Sequence, residues 1–473
     1  MDLHLSLDEG QGLSRQIYDQ VRQAIAHGRL PGGTQLPSSR QLARSLGVAR
    51  NTVAAAFDHL VAEGYLHARP GVGTFVSVDA DQVRPPRQLA DSALVPVPLW
   101  RRPTPQVPVL RSTRPQFDFR VGIPDESRFP YPTWRRQVDR CLRRSTDAAM
   151  YNDPAGPIEL RESVARHLAV SRGLHIGPAD LIVTNGVQQA GSLIAQVLLE
   201  PGDVVAMEEP GYPPVRRAFE AARATVVGVP VDDHGLVVDQ LPARAKVVYV
   251  TPAHQFPLGV RMGLARRTAL VHWASTHNAA VIEDDYDTDF RYGGLPVDPL
   301  HTLDGGGRVL YVGSFSKTML PSLRVGYCVA PPRVREALRR ARFVADWHGT
   351  TATHLALARF IDEGTLAAHI RRMRREYKQR RDRIALILDR AFSQQLERIP
   401  NAAGLHLAAW TRAASQETVA SWIAAAAERG VALHSISDFA DGEVRPGVVL
   451  GFGAIPVDRI DDGLRQLRVV LGT

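Results

Sequence analysis

Apolar residues recur at helical spacing near the start of the chain: Leu13, Ile17, Val21, Ala24 and Ile25 share one face, and Gly28 with Pro31-Gly32-Gly33 closes the element. This predicts a helix over 13–27. Ser38 and Ser39, after Pro37, are natural caps for a short helix through Leu42 and Leu46, and Gly47-Val48 turns the chain into a third helix over about 50–63. Two short helices around a glycine turn predict a helix-turn-helix. Tyr65-Leu66-His67 and Thr74-Phe75-Val76 then read as strands joined through Arg69-Pro70-Gly71-Val72-Gly73, a tight basic hairpin with the form of a wing.

From Phe117 onward the pattern changes. Continuous apolar runs such as 181–184, 204–207, 247–250, 281–283 and 309–312 alternate with helical stretches. Such runs predict a parallel sheet covered on both faces, hence a large α/β domain. The last hundred or so residues mix long helices, including 371–383, with short strands near 404–407 and 448–450, which predicts a smaller α+β subdomain. Between these regions, residues 79–115 hold eight prolines and six arginines and few large apolar residues, the composition of a linker. The expected domains are therefore 1–78, a linker over 79–115, and 116–473.

The chain has 473 residues, enough for two or three folded units with a sizeable core. Its 44% hydrophobic and 22% charged residues exclude wholesale disorder. Cys141 and Cys328 lie far apart and match no metal-ligand spacing, so neither a disulfide scaffold nor a metal site is expected, and a cytoplasmic setting fits best. No membrane span and no export signal are expected. The net charge of +8 permits a polyanionic partner, and its distribution says more: between Arg29 and Phe57 there are four arginines and no acid.

That acid-free stretch coincides with the third helix. At its N-terminal turn, Arg50 can contact guanine, Asn51 adenine, and Thr52 a phosphate or a thymine methyl. Arg40 on the preceding helix is placed for phosphate; Gly71 and Gly73 let the wing backbone approach the minor groove, with Arg69 beside it. The blocks Leu36-Pro37-Ser38-Ser39-Arg40-Gln41-Leu42-Ala43, Gly47-Val48-Ala49-Arg50-Asn51-Thr52-Val53, Glu63-Gly64-Tyr65-Leu66 and Gly71-Val72-Gly73-Thr74-Phe75-Val76 together resemble the GntR-type winged helix-turn-helix.

Only three of the 57 basic residues are lysine, and one of them, Lys317, lies in Gly313-Ser314-Phe315-Ser316-Lys317-Thr318-Met319-Leu320-Pro321-Ser322-Leu323-Arg324-Val325-Gly326. This segment resembles the lysine segment of fold-type I pyridoxal-phosphate proteins. The resemblance implies pyridoxal 5'-phosphate as cofactor, Lys317 as its Schiff-base lysine, and Ser314 and Arg324 as phosphate partners. Thr184-Asn185-Gly186-Val187-Gln188-Gln189-Ala190 follows a predicted strand and opens a helix, so the amides of Gly186, Val187 and Gln188 are placed to hold a phosphate. In Glu283-Asp284-Asp285-Tyr286-Asp287 the resemblance gives Asp284 the pyridine nitrogen and Tyr286 the ring hydroxyl. Asp285 and Asp287 read as solvated loop acids. Tyr212 matches the aromatic that stacks on the ring, and Tyr151 the tyrosine that reaches the neighbouring subunit's phosphate, so a homodimer is implied.

Both halves in this order resemble the MocR/GabR family of bacterial transcription regulators across essentially the whole chain. The resemblance implies a PLP-dependent regulator that binds operator DNA and senses an amino compound or pyridoxal phosphate itself; an active aminotransferase with an accessory DNA-binding domain is the alternative. Two departures bear on that choice. Where aminotransferases carry an asparagine before Pro-Xaa-Gly this chain has Phe256, leaving His254 and Gln255 as candidate substitutes. Where they carry an arginine in Arg-Leu-Xaa-Phe to clamp a carboxylate it reads Val449-Leu450-Gly451-Phe452, leaving Arg445, Arg216 and Arg217 as candidate cations.

Overall fold

The structure, a computed structural model, describes residues 5–8, 12–77, 97–101, 114–143, 150–293 and 298–472. The chain divides into two compact units, Met1–Pro103 and Thr104–Thr473. Of the expected linker, a short helix at Pro98–Arg101 is described together with residues 97, 114 and 115; the remainder lies outside the described residues. No described helix is long and apolar enough to cross a membrane.

In the first unit, α1 (Leu13–Ala26), α2 (Ser39–Leu46) and α3 (Arg50–Ala62) form where the apolar periodicity placed them. Ser38 caps α2 in a full capping box with Gln41, which satisfies amides the helix start would leave unpaired. Ile17, Val21 and Ile25 of α1 are buried against Val53, Phe57 and Leu60 of α3. Each large apolar side chain so buried contributes about 1.5–3 kcal/mol relative to exposure. The wing is a hairpin of β2 (Leu66–Arg69) and β3 (Gly73–Val76), and a two-residue strand absent from the sequence reading, β1 (Gln35–Leu36), pairs with β3.

The second unit is built on an eight-stranded sheet. Its strands are β4 (Leu181–Thr184), β5 (Val204–Glu209), β6 (Thr225–Asp232), β7 (Gly235–Leu236), β8 (Ala245–Val250), β9 (Ala280–Asp285), β10 (Val309–Ser314) and β11 (Gly326–Val329), in spatial order β4-β11-β10-β9-β8-β5-β6-β7. The sheet is mixed rather than purely parallel, because β11 runs antiparallel to both its neighbours and β7 antiparallel to β6. Separate buried clusters cover its two faces, one around Leu193, Val205 and Phe219 and another around Val204, Val248 and Leu270. A smaller antiparallel sheet follows: β12 (Leu396–Arg398), β13 (His406–Thr411), β14 (His434–Ser435) and β15 (Gly447–Gly451), in order β12-β13-β15-β14. The long helix Thr365–Ala391 precedes it and extends the expected 371–383 helix at both ends.

Candidate functional site

In α/β sheets of this kind the ligand crevice lies at the carboxyl ends of the parallel strands. Here β9 ends in Asp284-Asp285, β10 in Ser314, and β4 leads into Asn185-Gly186. Because β11 is antiparallel, its beginning lies at this edge: Gly326 stands opposite both Ser314 and Thr184. A Cβ on Gly326 would sit 2.8 Å from the Gly186 Cα, so only glycine lets these strands close up. Gly186 itself has φ +94 and opens the helix Val187–Leu198, with the Val187 and Gln188 amides in its first turn. Facing it, Arg324 is held at φ +51, a conformation that costs a non-glycine residue of order 1–3 kcal/mol, and its Nη2 donates to the Asn185 carbonyl at 2.5 Å. Ser314 Oγ accepts from the Ser316 amide at 3.1 Å. Helix amides, a guanidinium and a hydroxyl thus converge at one strand edge, a donor set suited to a phosphate.

Lys317 follows β10, and its Nζ donates to the Gly122 carbonyl at 2.7 Å. Burial lowers its pKa, while Asp287 and Asp284 act the other way. Asp284 is buried; its Oδ2 accepts from the Tyr249 hydroxyl and its Oδ1 has no partner. Burial pushes its carboxyl up to about 8. An unpaired buried carboxylate oxygen near a deprotonatable lysine and a phosphate cradle fits the cofactor the sequence implies: the oxygen lacks a cationic N–H, which a pyridine nitrogen provides. Tyr212 is half-buried, edge-on to Phe256 with centroids 5.5 Å apart, and burial pushes its pKa up to about 12. Tyr151 is 73% exposed and stacks on Trp347 at 4.2 Å.

Two expectations are corrected. Asp285 and Asp287 are not solvated: both are buried. Asp285 accepts from Arg172 Nε at 2.5 Å and from the Tyr311 hydroxyl; burial alone would raise its carboxyl, and Arg172 brings it below the ordinary value instead. Asp287 lies against His254, 3.0 Å away. The three candidate cations for a carboxylate are spent as well. Arg216 pairs with Glu209 and Asp441, Arg217 with Glu220 and Asp441, and Arg445 with Glu397. Val449 is buried in an apolar cluster with Val121, Phe256, Ile436 and Phe439 that packs against Tyr212 and Tyr286.

Gln255 is tied to its own surroundings, donating to the Pro210 and Phe256 carbonyls at 2.8 and 2.6 Å. It also borders Glu208, a buried carboxyl raised by burial to about 7, which accepts from Thr251 Oγ1 at 2.5 Å. Sequence reasoning assigns Glu208, Tyr249 and Asn401 no site role. Tyr249 lies inside the apolar run 247–250 and Glu208 directly follows the run 204–207, whereas Asn401, 147 residues from the histidine it meets, has no local signal.

In the first unit, Arg40, Arg50, Asn51 and Arg69 are exposed and Thr52 is half-buried. The Arg69 guanidinium lies over the Phe75 ring at 5.2 Å, and Gly71 and Gly73 both have positive φ.

Residues 13–76 match the family described as bacterial regulatory proteins, gntR family, and residues 114–445 match aminotransferase class I and II. The chain is 35% identical to the probable rhizopine catabolism regulatory protein MocR of Rhizobium meliloti, over 98% of this chain and 95% of that protein. It is 32% identical to the HTH-type pyridoxine biosynthesis transcriptional regulator PdxR of Corynebacterium glutamicum, over 97% and 96%. Among solved structures, the kynurenine aminotransferase of Pyrococcus horikoshii, crystallised with PMP, superposes with a TM-score of 0.70 at 28% identity, covering 76% of this chain and 91% of that one.

Proposed function

Because this chain belongs to the MocR/GabR-type transcription regulators, which join a GntR-type winged helix-turn-helix to an aminotransferase-like domain, we propose that it is a pyridoxal-phosphate-dependent sensor that couples a small effector to operator DNA. The observation that carries the reading is the unpaired Asp284 Oδ1 beside a partly deprotonatable Lys317 at the edge that also holds Gly186 and Arg324.

In this reading Lys317 holds the cofactor covalently, and Ser314, Arg324 and the amides of Gly186, Val187 and Gln188 hold its phosphate. Asp284 keeps a proton on the ring nitrogen, Tyr286 donates to the ring hydroxyl and Tyr212 covers the ring. When bound, the group supplies an electron sink. Tyr151, exposed on one subunit, reaches the phosphate of the other in a homodimer. The effector is an amino compound or pyridoxal phosphate itself, the latter in keeping with the relative named for pyridoxine biosynthesis. An uncombined cofactor brings no carboxylate, which suits an apolar wall at Val449. In this reading residues 1–78 bind DNA and residues 116–473 hold the cofactor, in the cytoplasm.

Purified protein is expected to be yellow, and Lys317→Ala to lose the pH-sensitive visible band, because no other lysine lies in this site. A colourless wild-type protein that takes up no added cofactor removes the assignment.

For DNA, Arg50→Ala is expected to cost about 1–3 kcal/mol at one base position, whereas Arg40→Ala weakens all sequences alike and reduces the salt slope by about one. Footprinting and salt titration check both. Wild-type behaviour in both variants moves recognition away from α3.

A further inference from the structure

Phe256 stands where the resemblance expects a hydrogen-bonding side chain, and next to it runs a chain of polar groups. The Tyr286 hydroxyl lies 2.9 Å from His254 Nδ1. The same nitrogen lies 3.1 and 3.0 Å from the two carboxylate oxygens of Asp287. On the far side of the ring, Asn401 Nδ2 lies 2.8 Å from His254 Nε2.

Asn401 decides where the protons are. Its Oδ1 accepts from the Ala403 amide at 3.1 Å and its Nδ2 donates to the His406 carbonyl at 2.9 Å. A backbone amide only donates and a backbone carbonyl only accepts, so the two ends of the Asn401 amide are identified without ambiguity. An amide nitrogen therefore faces Nε2, and Nε2 presents its lone pair. A neutral imidazole then carries its hydrogen on Nδ1, shared between Asp287 and the Tyr286 oxygen. That oxygen accepts from His254 and keeps its own hydrogen for another partner; among the described residues the hydroxyl makes no other hydrogen bond.

A metal does not fit here. His254, Asp287 and His406 bring their donor atoms within 4.8 Å of one another. Yet both nitrogens of His254 are engaged, and His406 Nε2 donates to the Pro257 carbonyl at 3.0 Å. His254 and Asp287 are committed to hydrogen bonds with each other, and His254 also to Tyr286 and Asn401.

We propose that His254, fixed by Asn401 and Asp287, is a positioning residue that turns the Tyr286 hydroxyl hydrogen into the cofactor site, where it serves the ring oxygen alone in place of the side chain that Phe256 lacks. The inference rests on the cofactor reading above. Asp287 acts through His254, and His254 through Tyr286.

The test uses full-length protein loaded with pyridoxal phosphate, titrated while its visible absorption is followed. The charged groups facing Tyr286 are Asp284, Asp285, Asp287 and Glu208, and those facing Lys317 are Asp284, Asp287 and Arg324. Variants are therefore compared as a cycle that leaves all of these in place. His254→Leu is expected to raise the midpoint of the colour change by roughly one to two pH units, the size of a lost hydrogen bond to a charged oxygen. The direction is upward because a ring oxygen without its donor is the stronger base and retains the shared proton. Tyr286→Phe is expected to do the same, and the double variant to match Tyr286→Phe alone. His254→Asn, which keeps an N–H at the place of Nδ1, stays near wild type. Asn401→Asp, which turns an acceptor toward Nε2 and draws the hydrogen there, also raises the midpoint and serves where His254→Leu fails to fold. Nitrogen-15 spectra of labelled histidine in the full chain are expected to place the His254 hydrogen on Nδ1. An unmoved midpoint in folded His254→Leu or Asn401→Asp, or a hydrogen on Nε2, overturns the inference and leaves the cofactor reading intact. Wild-type protein that takes no colour overturns both.

Discussion

Mixed with a panel of amino acids and GABA, the cofactor-loaded protein is expected to release keto acid very slowly or not at all, whatever its spectral response. The reason is orientation. Holding a reacting group in line accounts for roughly 7–11 kcal/mol of barrier lowering in well-built sites, and a ligand gripped at one end forfeits most of it. The grip at the other end would be a cation, and Arg216, Arg217 and Arg445 are each already paired with carboxylates. Position 449 lies inside an apolar cluster, so Val449→Arg buries an unpaired guanidinium and is expected to cost several kcal/mol of stability, about 3–5, rather than restore turnover. Stopped-flow absorption with keto-acid detection checks the first expectation and thermal unfolding the second. Rapid multi-turnover release from any amino acid makes the protein an aminotransferase.

Freed of cofactor, Asp284→Asn is expected to be more stable than wild type, by a margin that widens with pH. The folded chain holds this carboxyl at about 8 against an ordinary 3.8, so the native state binds a proton that the unfolded chain has released. Below the ordinary value both states are protonated and the penalty vanishes. It grows as the pH rises above the ordinary value and is complete above the folded one, reaching several kcal/mol in order of magnitude. The variant is compared with wild type at each pH because buried His354 and His369, both held at about 4, give the parent curve an opposite slope. Urea unfolding of both proteins between about pH 5 and 9 measures the margin. A pH-independent difference would mean Asp284 is charged in the empty site. Loading with cofactor is expected to shrink the margin at alkaline pH, since a protonated ring nitrogen gives the carboxylate its counter-charge.

What the sequence made legible was local. The Ser38 cap, the apolar face of Ile17, Val21 and Ile25, and the strand before Lys317 each depend on neighbours within a few positions, and each sits where periodicity placed it. The misreadings concern residues whose partners arrive from far along the chain. Asp285 and Asp287 look like solvated acids until Arg172 and His254 are brought to them across 113 and 33 residues. The four-residue strand Gly326–Val329 carries no marker of its antiparallel direction, because direction is a property of the pairing and not of the residues. Asn401 left no trace, since an asparagine after a proline reads as an ordinary turn.

The two sheets of the second unit also separate two kinds of heritable change. Within one subunit, Asp284, Tyr286, Ser314, Lys317 and Arg324 all lie at the ends of strands of the eight-stranded sheet or beside them, and Gly186 and Gly326 lock that edge at contact distance. Position 449 belongs to the four-stranded sheet. A lineage can therefore re-tool the wall at position 449 by substitutions on one sheet while Lys317, Asp284 and Ser314 stay inherited on the other, and the change reaches the cofactor apparatus only where that wall meets Tyr212 and Tyr286 or where Asn401 supports His254.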